Sequence, residues 1–280
     1  MTAILLGLSC SLAWGVADYV AGVESRRRAL AVVLVVSQAA GMTGALVIVL
    51  VSGEVLPDLG TAVAAAASGG LLITAIASFY HALTMGKMGV VAPVVATSAV
   101  IPVLAGIAAG DRLSTGQAVG IVMCCVGVVL ATRHKPDEND GYNLRRGVGF
   151  ALIAMASFGC FLVLFEGASS DSLFWSVTLS RAVAMGAVLA WLSAAAGAVP
   201  RLRQQGGWRL AAIGLLDICA LTCFGLAAER GLLSVVAVLA SLYPAVTVVL
   251  ARLLLDERLA RVQAAGIAMA LTGVVALAAA

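Results

Sequence analysis

Charge is what this chain has least of: Asp, Glu, Lys and Arg make up 11% of its 280 residues, against 62% hydrophobic residues. That balance cannot furnish an ordinary water-facing surface, and it excludes the usual soluble globular classes. A soluble helical bundle would need a polar stripe on most helices, which the runs here lack. Alternation of apolar and polar residues is missing as well, so a closed β-barrel is excluded. There is no GxxxxGK[ST] loop and no soluble domain to hold a nucleotide, which argues against ATP-driven transport within the chain. Histidine is scarce, at two residues. No His, Cys, Asp and Glu set with metal-ligand spacing occurs, so neither a metal nor another cofactor is expected. Cys10, Cys124, Cys125, Cys160, Cys219 and Cys223 all fall inside apolar runs, where a small polarizable side chain packs well.

What the chain has instead is long apolar runs broken by short polar ones. A hydrocarbon-spanning helix needs roughly 20 apolar residues, and ten runs of about that order can be counted. They cover Ala3–Ala21, Ala29–Val51, Thr61–Met85, Val90–Ala109, Thr115–Ala131, Gly147–Phe165, Leu173–Val199, Leu210–Ala228, Leu232–Leu255 and Val262–Ala280. The first is expected to be a membrane helix and not a cleaved signal peptide, since it lacks a basic n-region. Arg133–Arg146, RHKPDENDGYNLRR, is the one clearly water-soluble stretch and divides the runs five and five. The predicted organisation is therefore residues 1–132, a polar cytoplasmic linker at 133–146, and residues 147–280.

The two halves repeat each other. Val90-Val91-Ala92 recurs at Val235-Val236-Ala237, 145 residues on, and Arg112-Leu113, Gln117, Gly120 and Gly127 recur at Arg258-Leu259, Gln263, Gly266 and Gly273, 146 on. Ser37-Gln38-Ala39 returns as Ser180-Arg181-Ala182 (offset 143), Gly70-Leu71-Leu72 as Gly214-Leu215-Leu216 (144), and Trp14-Gly15 as Phe158-Gly159 (144). A nearly constant offset over most of the chain marks an internal duplication.

Charge gives the orientation. Loops after odd-numbered runs hold 13 of the 17 Lys and Arg: Arg26, Arg27, Arg28, Lys87, Arg133, Lys135, Arg145, Arg146, Arg201, Arg203, Arg209, Arg258 and Arg261. Loops after even-numbered runs hold only Arg112 and Arg230. The positive-inside rule places the odd loops in the cytoplasm and both termini outside. Five crossings per repeat is an odd number, so the second repeat must lie inverted in the membrane. Inverted repeats are a transporter architecture, with the substrate site near mid-membrane where the halves meet. The net charge of +3 belongs to this asymmetry and implies no nucleic-acid partner. A plasma-membrane protein surrounded by lipid, handling a small-molecule substrate and working as a monomer, is the expectation.

Several of these residues carry a resemblance. Trp14-Gly15, the FYHAL segment Phe79–Leu83, VVAP at Val90–Pro93, Pro102, the DRL and DERL turns at Asp111 and Asp256 followed by Gln and Gly, and the closing Gly273-Val274-Val275 resemble the EamA-type branch of the drug/metabolite transporter superfamily. The likeness runs over nearly the whole chain. It implies an all-α integral membrane fold of ten transmembrane helices in two inverted five-helix repeats. It also implies a secondary transporter, an exporter of small polar or zwitterionic metabolites such as amino acids, and no enzymatic activity. Family members often carry basic termini that suggest cytoplasmic ends, whereas the charges here place the ends outside. A membrane enzyme or assembly factor acting on lipid-linked substrates is the alternative. It would show His, Asp, Glu or Ser clustered at one membrane face, and this chain shows scattered single charges.

Ionisable groups inside the membrane cost about 2.5–3.5 kcal/mol at a helix centre, so they are the first candidates for function. Asp217 lies near the middle of the eighth run and Arg181 toward the middle of the seventh. Their repeat equivalents are Ile73 and Gln38, so the charged pair belongs to the second half alone. Arg181 can hold a substrate carboxylate, and Asp217 can bind an ammonium group or exchange a proton. Equally, the two can form a structural ion pair that joins two helices. Trp14, Gln38 and Tyr243 are the further substrate-binding candidates, and His81 a second proton-relay candidate. Asp18 shares a helix face with Trp14 but is expected to pair with the Arg26–Arg28 cluster. Ser98–Pro102 and Tyr243-Pro244 are expected helix breaks, since proline removes an internal hydrogen bond. Glu166 and Asp171 read as outer-loop residues, and Arg252 as snorkelling inward beside Asp256. Gly69-Gly70, Gly120, Gly127, Gly266 and Gly273 read as sites of close helix packing.

Overall fold

A computed structural model of the protein describes residues 1–25, 27–85, 94–95, 97–131, 142–194, 207–254 and 260–279. Among these the chain is helical throughout, with no strand. Three long helices open it: α1 (Thr2–Ser25), α2 (Leu30–Ser52) and α3 (Leu59–Met85). A 3₁₀ turn (Thr97–Ala99) leads directly into the short α4 (Val100–Ala109), and α5 (Thr115–Ala131) ends the first half. The pattern then recurs. Helices α6 (Tyr142–Ser169), α7 (Leu173–Ala194) and α8 (Gly207–Ala228) are long. They are followed by α9 (Leu233–Ala240) and α10 (Tyr243–Leu254), which share one segment, and by α11 (Arg261–Ala279). Six helices are long and apolar enough to cross a membrane: α1 to α3 and α6 to α8. Four shorter apolar segments complete ten: Thr97–Ala109, Thr115–Leu130, Leu233–Thr247 and Arg261–Ala276. This is a multi-pass membrane protein. Large apolar side chains such as Leu12, Leu50, Val51, Leu104, Val122 and Leu271 face outward, where acyl chains and not water would meet them.

The expected helix breaks occur. The 3₁₀ turn ends at Ala99, and α9 stops at Ala240 before α10 restarts at Tyr243. Pro102 and Pro244 each fall in the first turn of the helix that follows, where no intrahelical donor is needed. Of the polar stretch at 133–146, residues 133–141 lie outside the described part, while Tyr142–Arg146 already belong to α6. Lys87, Val90–Pro93 and Asp256 also lie outside it, as does the Arg252 side chain.

Packing repeats as the sequence does. α1 lies along α8 as α6 lies along α3; α2 lies along α8 as α7 lies along α3; α2 meets α7, and α5 meets α11. Each contact is mapped onto itself or onto another by exchanging the two halves, as a two-fold relation demands. The closest approaches show it atom by atom. A Cβ on Gly127 would lie 2.5 Å from Ala270 N and 2.8 Å from Gly266 O; one on Gly273 would lie 2.8 Å from both Cys124 N and Gly120 O. A Cβ on Gly15 would lie 2.9 Å from Tyr243 O, and one on its counterpart Gly159 would lie 2.8 Å from Ser98 O. The recurring glycines thus let backbones touch at helix crossings. The recurring glutamines have another task. Gln117 Oε1 accepts from Ser114 N at 3.0 Å while Ser114 Oγ accepts from Gln117 N at 3.1 Å, a reciprocal cap on α5. Gln263 Oε1 accepts from Ala260 N at 2.9 Å at the start of α11, where Ala260 has no hydroxyl to return the bond.

The ends are finished locally. Gly53 (φ 66°) and Gly110 (φ 108°) close α2 and α4 in the left-handed region that other residues avoid. Asp58 caps α3, accepting from Thr61 N at 3.1 Å and Gly60 N at 3.2 Å. Hydrogen bonding from Thr61 holds its carboxyl below the usual range.

Candidate functional site

Where the halves meet, α1, α2, α3, α6 and α8 and the breaks at Ser98 and Ser241 enclose a cavity. Its walls include Trp14, Ala17 and Asp18 from α1, Ser37 and Gln38 from α2, Ile76, Phe79 and Tyr80 from α3, and Asp217 and Tyr243 from the second half. Ser98 and Tyr243 are repeat equivalents (243 − 98 = 145), so the two broken segments supply matching positions of the wall. Trp14 stands edge-on to Tyr243, with ring centroids 6.1 Å apart.

Asp217 is the hub of the polar groups. Its Oδ1 accepts from Trp14 Nε1 at 2.7 Å, and its Oδ2 pairs with Arg181 Nη1 at 2.6 Å. Arg181 Nη1 also donates to Gln38 Oε1 at 3.4 Å. Side chains of α1, α2, α7 and α8 are thereby joined across both halves. Arg181 is 1% exposed and Asp217 15%, so the pair is screened from water and the carboxylate still reaches the cavity. Among the described residues, Arg181 Nε and Nη2 are buried with no hydrogen-bond partner.

Of the five substrate-binding candidates, Trp14, Gln38, Asp217 and Tyr243 line the cavity; Arg181 stands behind Asp217 and does not. His81 lies away from the cavity, its ring edge-on to Phe150 at 4.6 Å between centroids. Asp18 requires a correction. It pairs with neither Arg27 nor Arg28: it lines the cavity and has no hydrogen-bond or ion-pair partner among the described residues. Glu24 takes that partnership, to Arg28 Nε at 2.7 Å and to Arg209 Nη1 at 3.3 Å. The spacing held the signal, because Glu24 is one helical turn from Arg28. Tyr80, expected near the inner end of the third helix, forms part of the wall. Glu166, expected in an outer loop, sits within the last turn of α6, while Asp171 lies in the turn after it. No group of three or more His, Cys, Asp or Glu among the described residues is placed to hold a metal.

On the face of the even-numbered loops, first-half residues are bonded to second-half ones. Glu54 accepts from Ser172 Oγ at 2.9 Å and Trp175 N at 3.0 Å, and its backbone oxygen accepts from Trp175 Nε1 at 2.9 Å. Thr61 Oγ1 donates to Asp171 at 3.1 Å. Asp111 accepts from Ser234 Oγ at 2.7 Å and Ser234 N at 3.1 Å, so it caps α9 from the other repeat. Beneath this layer Cys10, Phe161, Phe165, Val177, Leu221 and Phe224 form an apolar core. The cavity lies on the other side of that core, toward the odd-numbered loops.

Comparison with known proteins agrees with this architecture. Residues 145–279 match the EamA-like transporter family. A solved crystal structure superposes with TM-score 0.77 at 16% identity, covering 98% of this chain and 96% of that one, so the fold is shared over the full length. No curated protein matches the chain.

Proposed function

From a chain whose residues 145–279 match the EamA-like transporter family, we propose a secondary active transporter of the plasma membrane that exports small polar metabolites by alternating access. The observation that carries the reading is the cavity itself. It is lined from both inverted halves, it holds carboxylates and aromatic rings at membrane depth, and one side of it is sealed. Inverted repeats provide two equivalent ways of closing, one on each face, around a site that stays put.

Each residue has a part in that cycle. Trp14 and Tyr243 wall the substrate, Gln38 and Ser37 offer polar contacts, and Asp217 presents a carboxylate held in place by Arg181 and Trp14. The bonds of Glu54, Thr61 and Asp111 across the halves hold the outer face shut, in a state open toward the positively charged loops. The functional unit is the monomer, since a single chain supplies both halves of the site. Purified protein in proteoliposomes loaded with a defined mixture of amino acids and primary amines tests the reading. Selective loss of some of them, above protein-free vesicles, is expected; no selective flux under any imposed proton or sodium gradient would refute it.

The seal can be tested by itself. A charge-assisted hydrogen bond contributes about 1.5–3 kcal/mol, so Asp111→Ala, which removes two, should shift the population toward the outward-open state by about tenfold or more. Cys10 lies fully buried beneath the seal. With the other five cysteines replaced, its labelling by a membrane-impermeant thiol reagent should rise several-fold in Asp111→Ala. Unchanged labelling would show that this contact is not a gate.

A further inference from the structure

The cavity holds an acid without a partner. Asp217 is neutralised by Arg181 at 2.6 Å, but Asp18 faces the same space with no ion-pair or hydrogen-bond partner among the described residues. No Lys, Arg or His is among the described lining residues. With both carboxyls ionised, Asp18 and Asp217 contribute −1 each and Arg181 +1, so the described groups at the site sum to −1. A carboxylate placed at membrane depth is costly, and packing gives no reason to keep one unpaired. Trp14, Tyr80 and Tyr243 stand in the same wall, and the Trp14 and Tyr243 rings meet edge to face at 6.1 Å. Aromatic faces beside a carboxylate are the surroundings that an organic ammonium group takes in preference to other charge types.

Arg181 would be the natural partner for a substrate carboxylate. One of its terminal nitrogens is engaged by Asp217 and Gln38, and its two free nitrogens are closed off from the cavity. Among the described lining residues, an anionic group in this space therefore meets acids and no base.

Resting on the transport reading of the cavity, we infer that its substrates are organic amines carrying one net positive charge, and that Asp18 is the ammonium-binding residue. Asp217, already paired, positions Trp14 in the wall. Substrates that also bear a carboxylate are disfavoured because nothing in the cavity balances it.

Three indole compounds that differ chiefly in the charge of the side chain provide the test: tryptamine (cationic), tryptophan (zwitterionic) and indole-3-acetate (anionic). Equilibrium binding to the purified protein in nanodiscs should rank them in that order, with tryptamine tighter than tryptophan by about tenfold or more, the scale of one charged contact. Asp18→Asn should abolish the tryptamine preference, while Asp18→Glu should retain it. Failure of tryptamine to bind, equal affinity for the three, tighter binding of tryptophan or indole-3-acetate, or a preference that survives Asp18→Asn would each overturn the inference. The wild-type ranking is decisive even if Asp18→Asn does not fold. Flux is read separately in proteoliposomes. Ranked binding without flux would count against transport and leave the ammonium subsite standing; flux with no charge preference would do the reverse.

Discussion

Gly69→Ala and Gly214→Ala are expected to rank among the most damaging single substitutions in the chain. Each should lower the stability of the purified protein by about 3 kcal/mol, the upper end of the range for overpacking. A Cβ on Gly214 would sit inside the van der Waals envelope of the Ser37 carbonyl oxygen, with Gly41 N at 2.7 Å. One on Gly69 would do the same to the Ser180 carbonyl oxygen, with Ser180 C and Cα at 2.8 Å. In both cases the obstacle is backbone of the neighbouring helix, which cannot rotate away as a side chain would. Ser37 and Ser180 are repeat equivalents, so one crossing is built twice, α2 against α8 and α7 against α3. The two substitutions should therefore have similar effects. Gly70, one residue along from Gly69, has open space where a Cβ would stand, with nothing within 4 Å, and serves as the neutral control. Thermal unfolding in detergent measures all three. If Gly214→Ala behaves like Gly70→Ala, the helices do not cross at backbone contact.

That crossing also shows how far the sequence could be read. Composition, run length and the offset of about 145 residues lead to ten segments in two inverted halves, because membrane insertion and duplication both leave marks along the chain. The repeat aligns Gly214 with Gly70, but the structure uses Gly69 in the matching contact, since close approach depends on which face of a helix meets its neighbour. The recurrence of Gln117 and Gln263 is visible in the sequence, yet their role as caps depends on the backbone around them. The Arg181–Asp217 pair is legible from the cost of charge in the membrane. Asp18 is not, for a physical reason. Distance along a helix from a basic cluster says nothing about rotation toward a cavity, and it is Glu24 that pairs with Arg28 of the cluster Asp18 was expected to meet. Tyr80 does not announce itself as a wall residue, because an aromatic near a helix end reads as interfacial until the opposite wall is known.

The Arg181–Asp217 pair is where removing one group should cost most. Asp217→Asn leaves a guanidinium that is 1% exposed without its counter-charge, and losing one partner of a buried pair costs about 3–5 kcal/mol. Arg181→Met should cost less, because the remaining carboxylate, 15% exposed, still borders the cavity and keeps the Trp14 indole N–H as donor at 2.7 Å. Removing both charges, as Arg181→Met with Asp217→Leu, should recover most of the stability lost in Asp217→Asn, since well-packed apolar residues can replace a buried ion pair at little net cost. Transport then separates two roles that stability cannot. If the pair only fastens α7 to α8, the apolar double variant transports as well as the unaltered protein. If Asp217 also holds Trp14 in the cavity wall, the double variant folds but its flux falls by about tenfold or more, the scale of one lost hydrogen bond to a charged group. We expect the second outcome, because the Asp217–Trp14 hydrogen bond crosses from one half to the other and would be lost with the acid. Wild-type flux from a stable double variant would reduce the pair to a fastening and leave Asp18 as the acid on which transport depends.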